Sequence, residues 1–335
     1  MRILIVRVGA MGDVLHALPA VAAARAARPD WEIDWVVDPR WAPLLVDAEG
    51  QGPVVTRVHL AETKLWSKAP ASPAALRSIF KLRRALRREK YDRAVDMQGT
   101  LRSAVIGWMS GAGQFAGYSD PREALAARFY KTPLERRGAH VIEQGAALLG
   151  EACGVALEPG GIGLPREEWA DQWAEAVVGD RRTCLLAAGA GWAAKCWAAD
   201  KYGALAVELK AMGFDVVVNA SRVDDALAAA VVAASGGAAR VVVCNVTGLV
   251  ALMRRMTLMV GGDSGPTHLA AALGIPLVAL FGPTDPERNG PRGPGAKVVL
   301  RDAASVTSYK RSSVEDSGLA RISVEGVVEA IRGLL

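Results

Sequence analysis

The chain has 335 residues, 51% of them apolar and 22% charged, with 35 glycines. At roughly 150 residues per domain, this length points to two domains that can each bury a core, and the apolar content excludes a disordered chain. The net charge of +5 is unevenly placed: residues 1–160 hold 22 Lys and Arg against 17 Asp and Glu, while residues 161–335 hold 18 of each. The excess is densest in residues 51–110, with 12 basic and 4 acidic side chains, so an anionic partner is expected for the first half. Nucleic acid is disfavoured, because no reader motif or aromatic-basic interleaving accompanies the charge. No run approaches the ~20 apolar residues of a membrane span. The N-terminal MRILIVRVGAMGD lacks a signal-peptide cleavage site, which makes the cytosol the expected compartment. Cys153, Cys184, Cys196 and Cys244 are scattered with no C-x-x-C pair, and read as buried free thiols rather than a disulfide framework or a zinc site.

Apolar runs at 3–6, 33–37, 54–58 and 94–97 read as strands, with amphipathic helices at 14–28 and 74–90. A Gly- and Pro-rich join follows at 158–165. Strands at 184–188, 215–219, 241–244, 258–262 and 276–281 then alternate with helices at 200–212, 223–235, 247–255 and 266–273. Residues 301–322 read as a polar, Ser-rich loop, and 323–334 as a last helix. Continuous apolar strands alternating with helices predict an α/β chain of two doubly wound parallel-sheet domains.

Such sheets bind ligands at the carboxyl ends of their strands. The first strand runs into Gly9-Ala10-Met11-Gly12-Asp13. The spacing is G-x-x-G and not the dinucleotide G-x-G-x-x-G. Asp13 reads in two compatible ways, as cap of a helix beginning at Val14 and as a carboxylate placed to take a proton from a hydroxyl. His16 faces either the core or the rim of the site. Lys64 and Lys68 flank Trp66 on a loop after the third strand, Arg102 follows the fourth strand, and Arg122 opens another helix. Ser72-Pro73 starts a helix carrying Arg77, Lys81, Arg83, Arg84, Arg87, Arg88 and Lys90, either a solvated face or one drawn to an anionic membrane surface. In the second half, Gly189-Ala190-Gly191 leads to Lys195, and Gly262-Asp263-Ser264-Gly265-Pro266-Thr267-His268 opens a helix with Pro266 at its first position. Free N–H groups and the helix dipole there form an anion seat. Gly282-Pro283-Thr284-Asp285 makes a third such turn, and no Walker motif appears.

The runs RILIVRVGAMGDVLHALPAV, YDRAVDMQGTLRSA, GAGWAAKCW and GGDSGPTHLAAALGIPLVALFGPTDP, in this order, resemble the bacterial ADP-heptose:lipopolysaccharide heptosyltransferases, glycosyltransferase family 9. The first two are nearest its heptosyltransferase I branch. The resemblance spans the whole chain and implies a GT-B architecture of two Rossmann-like domains facing a cleft, with the acceptor in residues 1–160, the nucleotide sugar in 161–322, and a C-terminal helix in 323–335 that packs back on the first domain. It implies inverting transfer of L-glycero-D-manno-heptose from ADP-heptose to the Kdo of the lipopolysaccharide inner core. Asp13 would be the general base, and Lys195 would stabilise the departing ADP. Ala190, Gly191, Asn219, Asp224, Asp263, Ser264, Gly265, Pro266, Thr267 and His268 would hold the donor, with Asp225 a further ribose candidate. Met11, Gly12, Lys64, Lys68, Arg102 and Arg122 would hold the acceptor. The implied enzyme is a monomer without an obligatory metal, peripheral to the cytosolic face of the inner membrane. Ala198 stands where the family often has Pro, and Ala190 and Gly191 stand where some members carry Thr. The basic loop around Lys64–Lys68 is shorter than is common in heptosyltransferase I. Transfer to a later core sugar or to a protein, a nucleotide-binding oxidoreductase, and a non-catalytic sugar-nucleotide binder are the competing readings.

Overall fold

The computed structural model describes residues 1–308 and 316–335. Two compact units follow one another, Met1–Pro165 and Arg166–Leu335. In the first, the chain runs through β1 (Arg2–Val6), α1 (Met11–Ala27), β2 (Glu32–Val37), β3 (Arg57–Leu60), α2 (Thr63–Lys68), α3 (Pro73–Glu89), β4 (Arg93–Asp96), α4 (Leu101–Ser110), β5 (Gln114–Tyr118), β6 (Thr132–Leu134) and α5 (Val141–Cys153). Its six strands are parallel, in the order β3-β2-β1-β4-β5-β6. β1 is apolar because helices cover both faces of the sheet. Leu4 and Val6 share a core with Leu82 and Leu86 of α3 and Ala104 and Ile106 of α4. Ile3 and Ile5, which alternate with them, are also fully buried, and α1 packs on α5.

The second unit repeats the plan through α6 (Glu168–Val178), β7 (Thr183–Ala187), α7 (Ala199–Ala211), β8 (Asp215–Ala220), α8 (Ala226–Ala234), β9 (Ala239–Val243), α9 (Val246–Arg254), β10 (Leu258–Gly262), α10 (Gly265–Ala272), β11 (Leu277–Phe281), α11 (Pro286–Asn289), β12 (Lys297–Arg301), α12 (Ser317–Arg321) and α13 (Val324–Leu334). The order of this parallel sheet is β12-β11-β10-β7-β8-β9. In each sheet the winding reverses once, between β1 and β4 and between β7 and β10.

Several boundaries differ from the sequence reading. The third strand begins at Arg57 rather than Val54; Val54 and Val55 are buried in the preceding loop. Lys64 and Lys68 lie on the helix α2, where a loop was expected. Arg122 opens no helix: it sits in a turn, and a 3-10 segment starts at Ala124. The helix expected over 223–235 is shorter because Asp225 caps it, accepting from the N–H groups of Leu227 and Ala228. Pro266 is the second helical residue of α10, after Gly265. Within 301–322, α12 replaces part of the expected loop, and residues 309–315 of that stretch lie outside the described residues. The last helix belongs to the second unit: Val327, Val328 and Ile331 of α13 are buried in its core with Leu205 and Leu280. Among the described residues, no helix is long and apolar enough to cross a membrane.

α7 approaches α8 closely because Gly203 faces the end of α8; a Cβ there would lie 2.5 Å from Ala234 Cβ and 2.9 Å from the Ser235 nitrogen. Backbone cannot yield to such a contact as a flexible side chain would. Gly203→Ala is therefore expected to destabilise the second unit by about 1–3 kcal/mol through overpacking, measurable as a lower midpoint in urea denaturation.

Candidate active site

Both reversals of strand order gather the chemistry that the sequence placed at strand ends. In the first unit, Arg7 leaves β1 and donates through Nη1 to the Met97 carbonyl beyond β4. Its Nη2 reaches Asp13 Oδ1 at 2.7 Å. The Val8 N–H donates to Gln98 Oε1 at 2.8 Å, tying the two loops together. Gly9 has φ +153°, and a Cβ there would fall 2.7 Å from Trp41 Nε1, so the turn admits no side chain.

The helix after this turn begins at Met11, so Asp13 is its third residue and not its N-cap. The carboxylate reaches back to accept from the Ala10 N–H at 2.9 Å. Capping and chemical availability coexist, because the side chain keeps 42% of its surface exposed. Met11 is buried beneath the turn and Gly12 half-buried, while Lys64, Lys68, Arg102 and Arg122 are exposed. Arg102 is on the first turn of α4, beyond the carboxyl end of β4. His16 is half-buried, edge-on to His140 with ring centroids 5.7 Å apart.

Asp96, the last residue of β4, supports this loop system from within. It is fully buried and accepts from Tyr130 Oη at 2.7 Å, Ser103 Oγ at 2.8 Å, the Gln98 N–H at 2.8 Å and the Gly99 N–H at 3.1 Å. Burial pushes its pKa above the usual carboxylate range despite those donors.

In the second unit, the loop after β7 meets the loop after β10. Lys195 Nζ is bonded to Asp263 Oδ2, and its ammonium also lies 4.1 Å from the centre of the Trp192 ring. His268 Nε2 is 3.1 Å from Asp263 Oδ1. Burial opposes the charged form of Asp263, but the His268 hydrogen bond and the charges of His268 and Lys195 outweigh it and hold the carboxyl well below its usual range. An ionised carboxylate accepts only, so His268 donates to it.

Ser264 occupies the N-cap position of α10, yet its side chain makes no capping bond. Thr267 Oγ1 instead donates to the Gly262 carbonyl at 2.6 Å. The first N–H groups of α10 have no acceptor within the helix, and Pro266 has none to offer. Ala190 is half-buried and Gly191 exposed, in an open loop before Lys195. Of the residues expected at the ribose, Asn219 Nδ2 faces Cys244 Sγ at 3.7 Å, Asp224 is exposed beside Arg222, and Asp225 caps α8.

The sequence reading missed two groups and named a third only as part of a turn. Arg7 could have been suspected as a cation at the exit of an apolar strand, on the other side of a tight turn from a carboxylate. Trp192 gave no signal beyond its place in the loop. Thr284, in that turn after β11, is 1% exposed, and its Oγ1 has no partner among the described residues; a buried unpaired hydroxyl at a strand's carboxyl end is a natural ligand contact. Among the described residues, no cluster of three His, Cys, Asp or Glu side chains is arranged to hold a metal ion.

Two doubly wound units, each with a polar site at its reversal of strand order, define a GT-B-like fold of the glycosyltransferase type. The sequence model of glycosyltransferase family 9 (heptosyltransferase) matches residues 79–317, and the chain belongs to that family. It is 30% identical over 299 residues to lipopolysaccharide heptosyltransferase 1 of Pseudomonas aeruginosa, covering 88% of this chain and 82% of that protein. To the Salmonella typhimurium heptosyltransferase 1 it is 29% identical over 340 residues, covering 94% and 98%. The solved structure of Escherichia coli heptosyltransferase WaaC with ADP superposes with a TM-score of 0.81 at 24% identity over the whole of both chains. The family 9 glycosyltransferase of Veillonella parvula gives 0.82 at 21%, covering 99% of this chain and 96% of that one.

The Asp263 cluster makes a stability prediction. A carboxyl whose folded pKa is depressed contributes stability above its unfolded pKa of about 4 and loses it as pH falls through the folded value. Asp263→Asn should therefore cost about 1–3 kcal/mol at pH 7. The gap to wild type should narrow below about pH 4 as the wild-type carboxylate takes up its proton. Urea denaturation of both proteins across that range measures it.

Proposed function

We propose that the protein transfers L-glycero-D-manno-heptose from ADP-heptose to the Kdo of the lipopolysaccharide inner core, with inversion at the anomeric carbon. The observation that carries this reading is the meeting of Lys195 with the open N-terminus of α10 where β7 and β10 adjoin. A lysine and unpaired N–H groups at a helix start make a seat for a diphosphate. Family membership and the relatives' names favour a heptose as the sugar, and the similar WaaC structures solved with ADP and with an ADP-heptose analogue favour ADP as the nucleotide.

In this reading, Asp13 takes the proton of the acceptor hydroxyl as that oxygen attacks the anomeric carbon from the face opposite ADP. Arg7 and the Ala10 N–H fix the carboxylate, each on one oxygen, and leave lone pairs for the hydroxyl. The carbon–oxygen bond to ADP breaks through an oxocarbenium-like state, and negative charge gathers on the departing diphosphate. Lys195 and the N–H groups of Gly265 and Thr267 meet that charge, with Ser264 and His268 beside them and Asp263 holding Lys195 or sugar hydroxyls. Ala190 and Gly191 admit the phosphates close to backbone. Asn219, near the end of β8, and Asp224, just beyond it, stand where the ribose is expected. Met11 and Gly12 shape the acceptor side, and Lys64, Lys68, Arg102 and Arg122 meet its anionic groups. Because protein groups neutralise the diphosphate, no metal is required. Because the acceptor in this reading is lipid-borne, the enzyme works at the cytosolic face of the inner membrane, and we take it to do so as a monomer.

The test is ADP release from ADP-heptose with a Kdo-bearing lipid A acceptor. Asp13→Ala should lower turnover about 10²–10⁴-fold while ADP-heptose still binds. Lys195→Ala should lower it about 10²–10³-fold, and added EDTA should leave the wild-type rate unchanged. Donor binding without turnover on this acceptor would redirect the search to a later core sugar or a protein. Failure to bind ADP-heptose would sink the donor assignment.

A further inference from the structure

α3 has two faces of opposite character. Ala75, Leu82 and Leu86 are buried against the first sheet. On the other side, one turn apart, Leu76 is 46% exposed and Phe80 62% exposed. Arg77, Lys81, Arg83, Arg84 and Arg88 surround this pair, all exposed. The single acid of the helix, Glu89, points elsewhere and pairs with Arg57 at 2.5 Å. α4 packs beside α3 over the same core and adds Trp108, 55% exposed and edge-on to Phe129 at 6.2 Å.

A merely solvated face carries charges of both signs and few large apolar groups. This one carries a single sign of charge and an aromatic side chain standing into water. We infer that the outer face of α3, with Trp108 of α4 at its margin, docks the protein onto an anionic lipid bilayer. The arginines and Lys81 meet the negative surface potential, and Phe80 and Leu76 enter the boundary between headgroups and acyl chains. A bilayer takes both kinds of group at once. Nucleic acid would leave the apolar pair in water, and a second copy would set like charges against each other. The inference stands on this surface and not on the substrate reading.

Vesicle flotation of the full chain tests it without any sugar substrate. The protein should float with vesicles of phosphatidylethanolamine and phosphatidylglycerol, bind phosphatidylcholine vesicles far less, and lose binding as salt shortens the reach of the charges. The double variant Arg83→Glu/Arg84→Glu should lower the partition about tenfold or more. Lys210→Glu/Arg332→Glu, the same charge change on exposed helix positions of the second unit, should leave it within about twofold, since surface potential acts only over a Debye length. Phe80→Ser should weaken binding at low salt, with every charge of the face retained. Both α3 variants should keep the wild-type melting temperature, and their turnover on a water-soluble Kdo acceptor should be unchanged, so failure of docking is read apart from failure of the proposed chemistry. Equal binding to neutral and anionic vesicles, or wild-type binding by the Arg83→Glu/Arg84→Glu protein, overturns the inference. So does displacement of anionic vesicles by a DNA duplex, which assigns the face to nucleic acid, or a dimer that Phe80→Ser dissolves, which assigns it to a second copy.

Discussion

The reversal of strand order in each sheet is the constraint on which both sites depend. Where winding changes direction, the connections after two adjacent parallel strands leave toward opposite faces, and a crevice opens at their carboxyl ends. β1 and β4 make one such pair, β7 and β10 the other. The four loops that follow them hold the polar groups of interest. In the first unit Arg7 and Val8 bond to Met97 and Gln98; in the second Lys195 bonds to Asp263. The glycines at these ends keep the loops tight enough for such contacts, as the fit of Gly9 against Trp41 shows.

Asp96 and Asp263 show how one topological position serves two purposes. Each stands at the end of the first strand after the reversal, Asp96 closing β4 and Asp263 following β10. Asp96 is surrounded by neutral donors, two hydroxyls and two backbone N–H groups, and burial prevails over them. Its value is geometric, since those donors fix the path of the chain from Gln98 to Ser103. Asp263 is nearly as buried but faces Lys195 and His268, and their attraction prevails over burial. A buried ion pair gains little net stability once desolvation is counted. Its presence at a strand end is better explained by what it arranges: a lysine held in place beside a helix start, with its ammonium against an indole ring.

The parallel-sheet architecture was legible because buried strands are apolar throughout and cannot be mistaken for amphipathic helices. ILIV, CLLAA and PLVALF all fall in the observed ladders. β5 and β6 were not legible: Gln114–Tyr118 holds a central glycine, and Thr132–Leu134 is three residues long with a proline, so neither shows an apolar run. β3 was displaced by three residues because Val54 and Val55 are buried without joining the ladder, and burial is what composition reports. The residues at strand ends were legible as types. Their pairings were not, since Arg7 with Asp13 and Lys195 with Asp263 depend on how loops meet after folding. Asp225 illustrates the ambiguity of an acid near a helix start, which resolves to a cap once the backbone is seen.

The charge excess of the first half divides in the structure into two groups with different surroundings. Arg7 and Arg57 are drawn into pairs with Asp13, Asp34 and Glu89. Those on the outer face of α3 are set beside apolar side chains, away from the one acid of their helix. The second unit, with no net charge, ties its cations to nearby acids, as Arg240 is tied to Asp215 and Arg255 to Glu175. Net charge alone would have assigned the whole basic surplus to substrate. Its distribution instead separates the paired Arg7 and Arg57 from a larger set exposed on a helix face packed over the sheet. Ionic strength acts most on exposed charges and least on buried pairs, so the Arg7–Asp13 pair and the exposed face of α3 answer to salt differently.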